Sequence, residues 1–371
     1  MPEAVIVSTA RTPIGRAFKG SLIEMRPDDL AAIAVKAALA KVPNLDPSTV
    51  EDLMIGCAQP AGEHGYNMGR QTIRMAAHAI KAGEGDVFVA AGVECVSRFG
   101  LGRADGMQNT KNPNFADAEA RMEKYMSGEC GDWEPAGGLP DVYVTMLQTA
   151  ENVAQSMSVS RQEQDEFAAL SQQRAEAAQK SGHFAEEITP VTTPSGNVVD
   201  TDDCPRHGTT AEKLAGLKPV LVEQMGDKAT VTAGNACPLN DGAAAVIVMS
   251  DTRAKELGLT PLARVVSTGV SALNPEIMGL GPIEATKQAL GRAGLTIKDI
   301  DLVEINEAFA AQVVPSAREL GIPVDKLNIN GGAIALGHPF GQTGARIMTT
   351  LIHKMCVGGG QGMAAVIERL G

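Results

Sequence analysis

The amino-acid sequence predicts an α/β fold built from two related halves. Short apolar segments alternate with helical patterns, the order of these segments recurs in the second half, and a long polar stretch interrupts the first half. Together these observations indicate an internally duplicated α/β unit that carries an insertion.

The alternation begins at the N-terminus. A strand over Ala4–Ala10, rich in β-branched residues, precedes a helix over Asp28–Lys41 that has acidic residues in its first turn. Val50–Cys57 is predicted to be the next strand, Gln71–Ala82 a helix and Asp86–Ala91 a strand. This order is typical of α/β proteins.

The same alternation returns in the second half. The predicted elements are strand Ala244–Ser250, helix Glu284–Ala293, strand Ile300–Ile305, strand Asn328–Gly332, helix Gly341–His353 and strand Met363–Arg369. DDLAAIAVKAALAK leading to VEDLMIGC resembles GPIEATKQALGRA leading to IDLVEIN, which predicts an internal duplication.

The stretch from Leu101 to Lys228 is polar and largely without periodicity, apart from one helix predicted over Ser160–Lys180 with a serine cap. We interpret it as an inserted loop domain, because long ordered insertions often build ligand sites. The predicted domains are an N-terminal half over residues 1–250, with the loop domain at about 101–228, and a C-terminal half over residues 251–371.

Composition excludes several functions. The net charge of the 371 residues is −12 and no basic run occurs, which argues against nucleic-acid binding. None of the six cysteines forms a CxxC pair, so we expect free thiols and no metal site. The chain starts without a basic and apolar leader, and no apolar run has the length of a membrane span. We therefore expect a soluble, cytoplasmic protein.

Several motifs carry the chemistry. They are Arg11–Pro13 (RTP), Thr232–Ala236 (TAGNA), Asn240–Ala244 (NDGAA), Asn306–Ala310 (NEAFA), Asn330–Ala333 (NGGA), Gly337–Pro339 (GHP), Gly344–Arg346 (GAR) and Cys356–Gly362 (CVGGGQG). Taken in this order, the motifs resemble those of thiolases. The resemblance covers the whole chain apart from two junctions.

This resemblance implies a layered αβαβα fold with a loop domain, assembled as a homodimer or homotetramer. It implies an acyltransferase that cleaves 3-ketoacyl-coenzyme A with coenzyme A to acetyl-coenzyme A and a shortened acyl-coenzyme A, or catalyses the reverse condensation. The reaction runs through a cysteine thioester, as in fatty-acid β-oxidation. Coenzyme A is a substrate, and no metal or redox cofactor is expected.

Four residues are predicted to be catalytic. A stiff Gly-Pro turn holds His338, which by resemblance activates the nucleophilic cysteine and helps to bind the thioester oxygen. Cys356 precedes a glycine run that leaves backbone N–H groups free for an oxyanion. By resemblance Cys356 is an acid/base, Gly358 donates such an N–H group, and Asn306 positions a water; otherwise Asn306 is a helix cap.

Five further residues are predicted to contact the substrate. By resemblance Phe309 and Met278 line the acyl and pantetheine channel, although ordinary core packing explains either nearly as well. Cys237 occupies a position where thiolases commonly have a serine that contacts pantetheine. Met146 starts a segment that resembles a segment of thiolases. Arg206 is a candidate for the coenzyme A nucleotide, with a solvated surface arginine as the stronger alternative.

The expected nucleophile is missing. Thiolases place it at the start of the helix that here begins near Gln71, but no cysteine stands there. Comparison of the two halves indicates that the first half lacks a segment near residues 70/71 and that the second half lacks one near residues 353/354. Either the natural protein contains segments that this sequence omits, or the deletions are real and the protein is a non-catalytic acyl-coenzyme A binding protein or scaffold. A ketosynthase is disfavoured, since those enzymes usually have a second histidine in place of Cys356.

Overall fold

A computed structural model describes residues 2–59, 73–101, 111–129, 131–135, 137–354, 358–360 and 363–370. The strands are β1 (Ala4–Arg11), β2 (Gly15–Arg16), β3 (Asp52–Gly56), β4 (Val87–Cys95), β5 (Val191–Thr192), β6 (Val198–Val199), β7 (Asn240–Ser250), β8 (Ala263–Val270), β9 (Glu304–Ile305), β10 (Gly358–Gly360) and β11 (Met363–Arg369). The helices are α1 (Pro27–Ala40), α2 (Ile73–Ala82), α3 (Ala116–Met126), α4 (Met146–Ser156), α5 (Arg161–Lys180), α6 (His183–Glu187), α7 (Ala211–Ala215), α8 (Val222–Met225), α9 (Asp251–Glu256), α10 (Gly281–Ala293), α11 (Ala310–Leu320), α12 (Ala333–Leu336) and α13 (Thr343–Lys354).

The main sheet has the order β3-β4-β7-β1-β8-β11-β10-β9, with β2 paired to β7. In the first half, β3 and β4 are parallel, and β4–β7 and β7–β1 are antiparallel. In the second half, β9 and β10 are parallel, and β10–β11 and β11–β8 are antiparallel. The two halves therefore repeat one pairing scheme and meet at the β1–β8 pair. This arrangement confirms the predicted α/β fold and its duplication.

Helices cover both faces of the first half. Val5 and Val7 of β1 pack in the apolar cluster that contains Leu30 of α1. The alternate residue Ile6 packs in a second cluster, together with side chains of α2 and α13. Successive residues of a strand point to opposite faces, so one apolar strand can serve two helical layers. Helix α13 contacts β7 of the first half and β10 of the second, and thus joins the halves.

The loop domain contains more helix than predicted. Helix α5 begins where expected, with a capping box between Ser160 and Glu163. Helices α3, α4, α6, α7 and α8 were not predicted. Their pattern is hard to recognise because buried positions include polar residues; α4, for example, buries Thr149, Glu151 and Asn152. The prediction of a single helix in this domain was wrong for that reason.

The predicted strand over Asn328–Gly332 was also wrong. The backbone turns there, with positive φ angles of 44° at Asn328 and 76° at Gly331. The side chain of Asn328 instead mimics a neighbouring strand: its Oδ1 accepts from the Ile305 N–H and its Nδ2 donates to the Ile305 carbonyl, both at 2.8 Å. The predicted strand Ile300–Ile305 shortens accordingly to β9. No helix within the described ranges is long and apolar enough to span a membrane.

Packing between β8 and α10 depends on the absence of a side chain at Gly269. A Cβ atom there would lie 2.1 Å from the carbonyl oxygen of Ala285 in α10. We expect Gly269→Ala to lower the free energy of unfolding by about 1–3 kcal/mol, because helix and strand must separate. Urea unfolding followed by circular dichroism measures this change.

Gly291→Ala, in helix α10 itself, is the matched control for Gly269→Ala. A Cβ atom at Gly291 would meet no atom within 4 Å, and α10 continues through this residue. It should therefore raise stability by about 0.5–1 kcal/mol. Equal stabilities for both variants would contradict the close approach of β8 and α10.

Candidate active site

His338 lies in the turn between α12 and α13, where the backbone is fixed from both sides. Its N–H donates to Oδ1 of Asn240, at 2.9 Å. The preceding Gly337 has a φ of 110°, and a Cβ atom there would fall 2.6 Å from the side chain of Asn240. Glycine is thus required for Asn240 to reach the turn.

Hydrogen bonds to both ring nitrogens orient the imidazole of His338. Thr343 Oγ1 donates to the carbonyl of Pro339 at 2.9 Å and lies 2.6 Å from His338 Nδ1, so Nδ1–H donates to that hydroxyl. On the other side, Nδ2 of Asn306 lies 3.1 Å from His338 Nε2 and donates to it. This arrangement leaves Nε2 as the acceptor, with its lone pair on the side of Asn306.

The imidazole is held neutral. Burial, and next the positive charge of Arg346, lower the pKa of His338 to about 3. The ring also meets Phe340 edge-on, with centroids 5.0 Å apart. A neutral imidazole can accept a proton from a thiol and return it, which is the requirement for a general base.

Asn306 follows β9 and is fixed by its neighbour Glu307. The buried carboxylate of Glu307 accepts from Ser171 Oγ at 2.6 Å, from Asn328 Nδ2 at 2.8 Å and from the Ile334 N–H at 3.1 Å. Oδ1 of Asn306 is buried and has no hydrogen-bond partner among the described atoms. A buried acceptor without a partner is costly, so this oxygen is suited to a water or ligand donor.

The glycine run reaches the same edge of the sheet. Gly358 pairs with Glu304 and Gly359 with Ile305, in the parallel β9–β10 ladder. The residue that follows β9 is Asn306, so NEAFA begins directly after the strand that pairs with the glycine run. Cys356 lies outside the described residues.

The predicted substrate-contacting residues are only partly brought together. The N–H of Cys237 donates to the Ala308 carbonyl at 3.0 Å, and Ala236 forms an isolated bridge with Phe309. Two predicted contacts thus adjoin the segment that holds Asn306. Phe309 also packs in an apolar cluster with α4 and α11, so part of its surface serves as core.

The other three are more dispersed. Arg206 is exposed and lines a shallow pocket that also includes Ala236. Met146 is 49% exposed at the start of α4. Met278 is half-buried in the short helical segment Pro275–Leu280, which packs against α4. Within the described ranges, no hydrogen bond joins these three to His338 or Asn306.

No described cysteine has the environment of an activated nucleophile. Burial, and next the charge of Glu94, raise the pKa of Cys57 to about 12. Burial likewise raises the pKa of Cys95, that of Cys204 to about 11 and that of Cys237 to about 12. Nucleophilic cysteines need a lowered pKa, so these four are structural thiols. Cys95 is buried within the apolar strand β4.

Comparisons with known proteins decide the family. The family model "Thiolase, N-terminal domain" matches residues 4–75 and 67–252, and "Thiolase, C-terminal domain" matches residues 259–369. The chain belongs to the thiolase family. Its activity is that of an acyl-coenzyme A thiolase.

Curated relatives and solved structures agree with this assignment. The chain is 41% identical to the 3-oxoadipyl-CoA/3-oxo-5,6-dehydrosuberyl-CoA thiolase of Escherichia coli (strain K12) and to the acetyl-CoA acetyltransferase of Cupriavidus necator, with 100% of both chains covered in each case. It resembles the dimeric peroxisomal thiolase of Saccharomyces cerevisiae with a TM-score of 0.86 at 33% identity, over 100% of this chain and 98% of that one. These matches are to enzymes over their full length, so the alternative of a non-catalytic protein has no support.

This thiolase is nevertheless shorter than its relatives at internal positions. The alignment with the Escherichia coli enzyme spans 418 positions against 371 residues here, a difference of 47. The N-terminal family model matches in two pieces whose boundary, at residues 67–75, includes the junction predicted at 70/71.

Sequence reasoning missed the residues that position His338. Asn240 belongs to the NDGAA motif and Thr343 directly precedes GAR, but only the fold brings both residues to His338. Glu94 was also missed: its carboxylate accepts from the Ala58 and Gly341 N–H groups, each at 2.9 Å, and joins the end of β3 to the turn before α13. A glutamate inside the apolar strand β4 was the available signal, since buried charges normally have partners.

Substitution of Thr343 tests whether its hydroxyl group fixes the tautomer of His338. We expect Thr343→Val to lower kcat/KM for thiolysis about 10- to 100-fold, because the imidazole loses the partner that holds its Nδ1 proton. Thr343→Ser keeps the hydroxyl and should retain most of the activity. Steady-state kinetics, with thermal unfolding as the check on folding, measure both. Equal rates for the valine and serine variants would show that the hydroxyl does not orient His338.

Proposed function

We propose that this thiolase cleaves 3-ketoacyl-coenzyme A with coenzyme A, forms acetyl-coenzyme A, and uses His338, Asn306, Cys356 and Gly358 as catalytic groups. The observation that carries this proposal is the contact between His338 Nε2 and Asn306 Nδ2, 3.1 Å apart, beside the strand that begins at Gly358. A neutral base, an amide with an unpaired oxygen and a glycine backbone are the groups that acyl transfer through a thioester needs.

In the first stage, the nucleophilic cysteine gives its proton to His338 and its sulfur attacks the 3-keto carbon. The bond between C2 and C3 of the substrate then breaks, and the acyl group remains on the cysteine as a thioester. The electron pair of the broken bond stays on the departing acetyl-coenzyme A, and Cys356 donates the proton that neutralises it.

In the second stage, coenzyme A enters and Cys356 takes the proton of its thiol. The resulting thiolate attacks the thioester, the shortened acyl group transfers to coenzyme A, and the cysteine leaves with its electron pair and recovers its proton from His338. The same steps in reverse join two acetyl groups. All proton transfers use side chains, so the reaction needs no metal or redox cofactor.

Negative charge develops on a carbonyl oxygen at two places in the site, and a separate hydrogen-bond donor stabilises each. The unpaired Oδ1 of Asn306 is suited to accept one hydrogen of a water, whose second hydrogen then points to the oxyanion. The N–H of Gly358, or of the glycines that follow it, serves the second oxyanion, on the β10 side. Removing one such donor commonly costs about 10²–10³ in rate.

The nucleophile lies in a segment that precedes α2 in the natural protein and is absent from this sequence. The 47-position difference from the Escherichia coli thiolase supports this proposal, as does the divided match of the N-terminal family model. The start of a helix lowers the pKa of a thiol there, because its N–H groups and dipole stabilise the thiolate.

The acyl and pantetheine channel is proposed to be lined by Phe309, Met278, Met146 and Cys237. Arg206 is proposed to approach the coenzyme A nucleotide. The likeness to the dimeric peroxisomal thiolase of Saccharomyces cerevisiae supports a homodimer or a homotetramer built from dimers. A cytoplasmic location and a role in fatty-acid β-oxidation belong to the same proposal.

Asn306 provides the test of the oxyanion arrangement. We expect Asn306→Ala to lower kcat about 10²- to 10³-fold with little change in KM, because the water that it holds acts on the transition state. Asn44→Ala, at an exposed asparagine in the turn after α1, is the control and should leave kcat unchanged. A loss confined to KM would instead assign Asn306 to ground-state binding.

His338 should not titrate in the physiological range. Since its pKa lies near 3, its ring protons should keep constant chemical shifts between about pH 5 and pH 8, where an ordinary histidine gains its charge. Proton NMR against a His338→Gln variant identifies the signal. A midpoint near the usual histidine value would contradict a buried neutral base.

A further inference from the structure

A second polar cavity lies between α2, β8 and α10. It has a volume of about 350 Å³, within the range of about 300–1,000 Å³ that is usual for small-molecule sites. Arg74, His78, Lys81 and Arg292 contribute to its wall; we call it the cationic pocket. The remaining lining residues are Ala77, Val265, Val266, Ser267 and Thr268.

Two elements bring the four basic side chains together. Arg74, His78 and Lys81 are spaced by four and three residues along α2, so they form one stripe on the helix. Arg292 comes from the last turn of α10, on the other side of the cavity. Burial, and next the positive charges of the other three, lower the pKa of His78.

Neutral groups hold these cations in place. Lys81 Nζ donates to the carbonyls of Val265 and Val266 at 3.1 and 3.2 Å, and Arg292 donates to the Thr268 carbonyl. His78 Nε2 lies 3.2 Å from Thr268 Oγ1. Such bonds orient the side chains but do not neutralise their charge.

No carboxylate compensates for this charge in the part of the chain that the structure describes. None of the four residues forms an ion pair there, and Nε of Arg74 is buried without a hydrogen-bond partner. Clustered, partly buried cations without a counter-ion destabilise the fold, and an anion between them would relieve this cost. The concentration of positive charge contrasts with a net charge of −12.

We propose that the cationic pocket binds a small phosphate-bearing anion. A phosphate group carries nearly two negative charges and several acceptor oxygens, which matches two guanidinium groups and an ammonium group better than a single carboxylate does. The four basic residues are not part of the His338–Asn306 site, so this proposal does not depend on the proposed thiolase mechanism.

Calorimetric titration with inorganic phosphate, glycerol phosphate and succinate, each at the same total ionic strength, tests the proposal. We expect saturable binding of phosphate and a thermal midpoint that rises more than with sodium chloride. Tighter binding of glycerol phosphate would identify a phosphorylated metabolite, and tighter binding of phosphate would identify the free ion. Succinate should bind more weakly than either.

Arg292→Gln should weaken phosphate binding at least about tenfold, because a charged hydrogen-bond donor is lost. Lys287→Gln is the matched control: it removes a cation from the same helix, outside the pocket, where Lys287 lies near Glu284. If Arg292→Gln fails to fold, Arg74→Gln replaces it, because it removes the other guanidinium group of the pocket. The proposal is overturned if phosphate binds no better than chloride, or if Arg292→Gln and Lys287→Gln bind it equally.

Discussion

The candidate site depends on the buried carboxylate of Glu307, which fixes three separate segments at once. It bonds Ser171 of the loop domain, Asn328 of the turn before α12 and the backbone of Ile334 in α12. Asn306, its neighbour in the chain, is thereby held against the turn that carries His338. Without this carboxylate, Asn306 and His338 would belong to elements with no common anchor, because β9 itself is only two residues long.

A second constraint sets the distance between the two halves. The turn before α13 packs on the backbone of β4 so closely that a Cβ atom at Gly92 would lie 1.9 Å from the Gly341 carbonyl oxygen. Glu94 adds a hydrogen bond to the Gly341 N–H in the same region. Glycine at both positions therefore lets α13 begin beside the first half of the sheet, and His338 lies three residues before Gly341. The duplicated fold and the site are linked through this contact.

Much of this arrangement could be predicted from the sequence. Apolar periodicity located the long elements, and the final strand Met363–Arg369 has the predicted bounds. The turn at Asn328 could not be predicted, because an asparagine side chain that replaces a strand leaves no pattern of alternating residues. The other helices of the loop domain were missed because their buried faces are partly polar, as at Glu151 and Asn152 of α4.

The site residues also divide into those that the sequence indicated and those that only the folded chain reveals. Local motifs indicated His338 and Asn306, since glycine and proline beside a single histidine are informative without a fold. Thr343 and Asn240 orient the imidazole through contacts of the folded chain, and Asn240 is 98 residues from His338. The low pKa of His338 could not be predicted either, because it arises from burial and from Arg346 in a helix that only the fold brings near.

The central claim is acyl transfer through a cysteine at the start of α2, and intact-mass spectrometry with and without acetyl-coenzyme A tests it most directly. The account predicts a protein heavier than 38.6 kDa that gains one acetyl group, on a cysteine in a segment preceding α2. A mass of 38.6 kDa with no covalent adduct would contradict it, because the described cysteines lack the environment that activates a thiol.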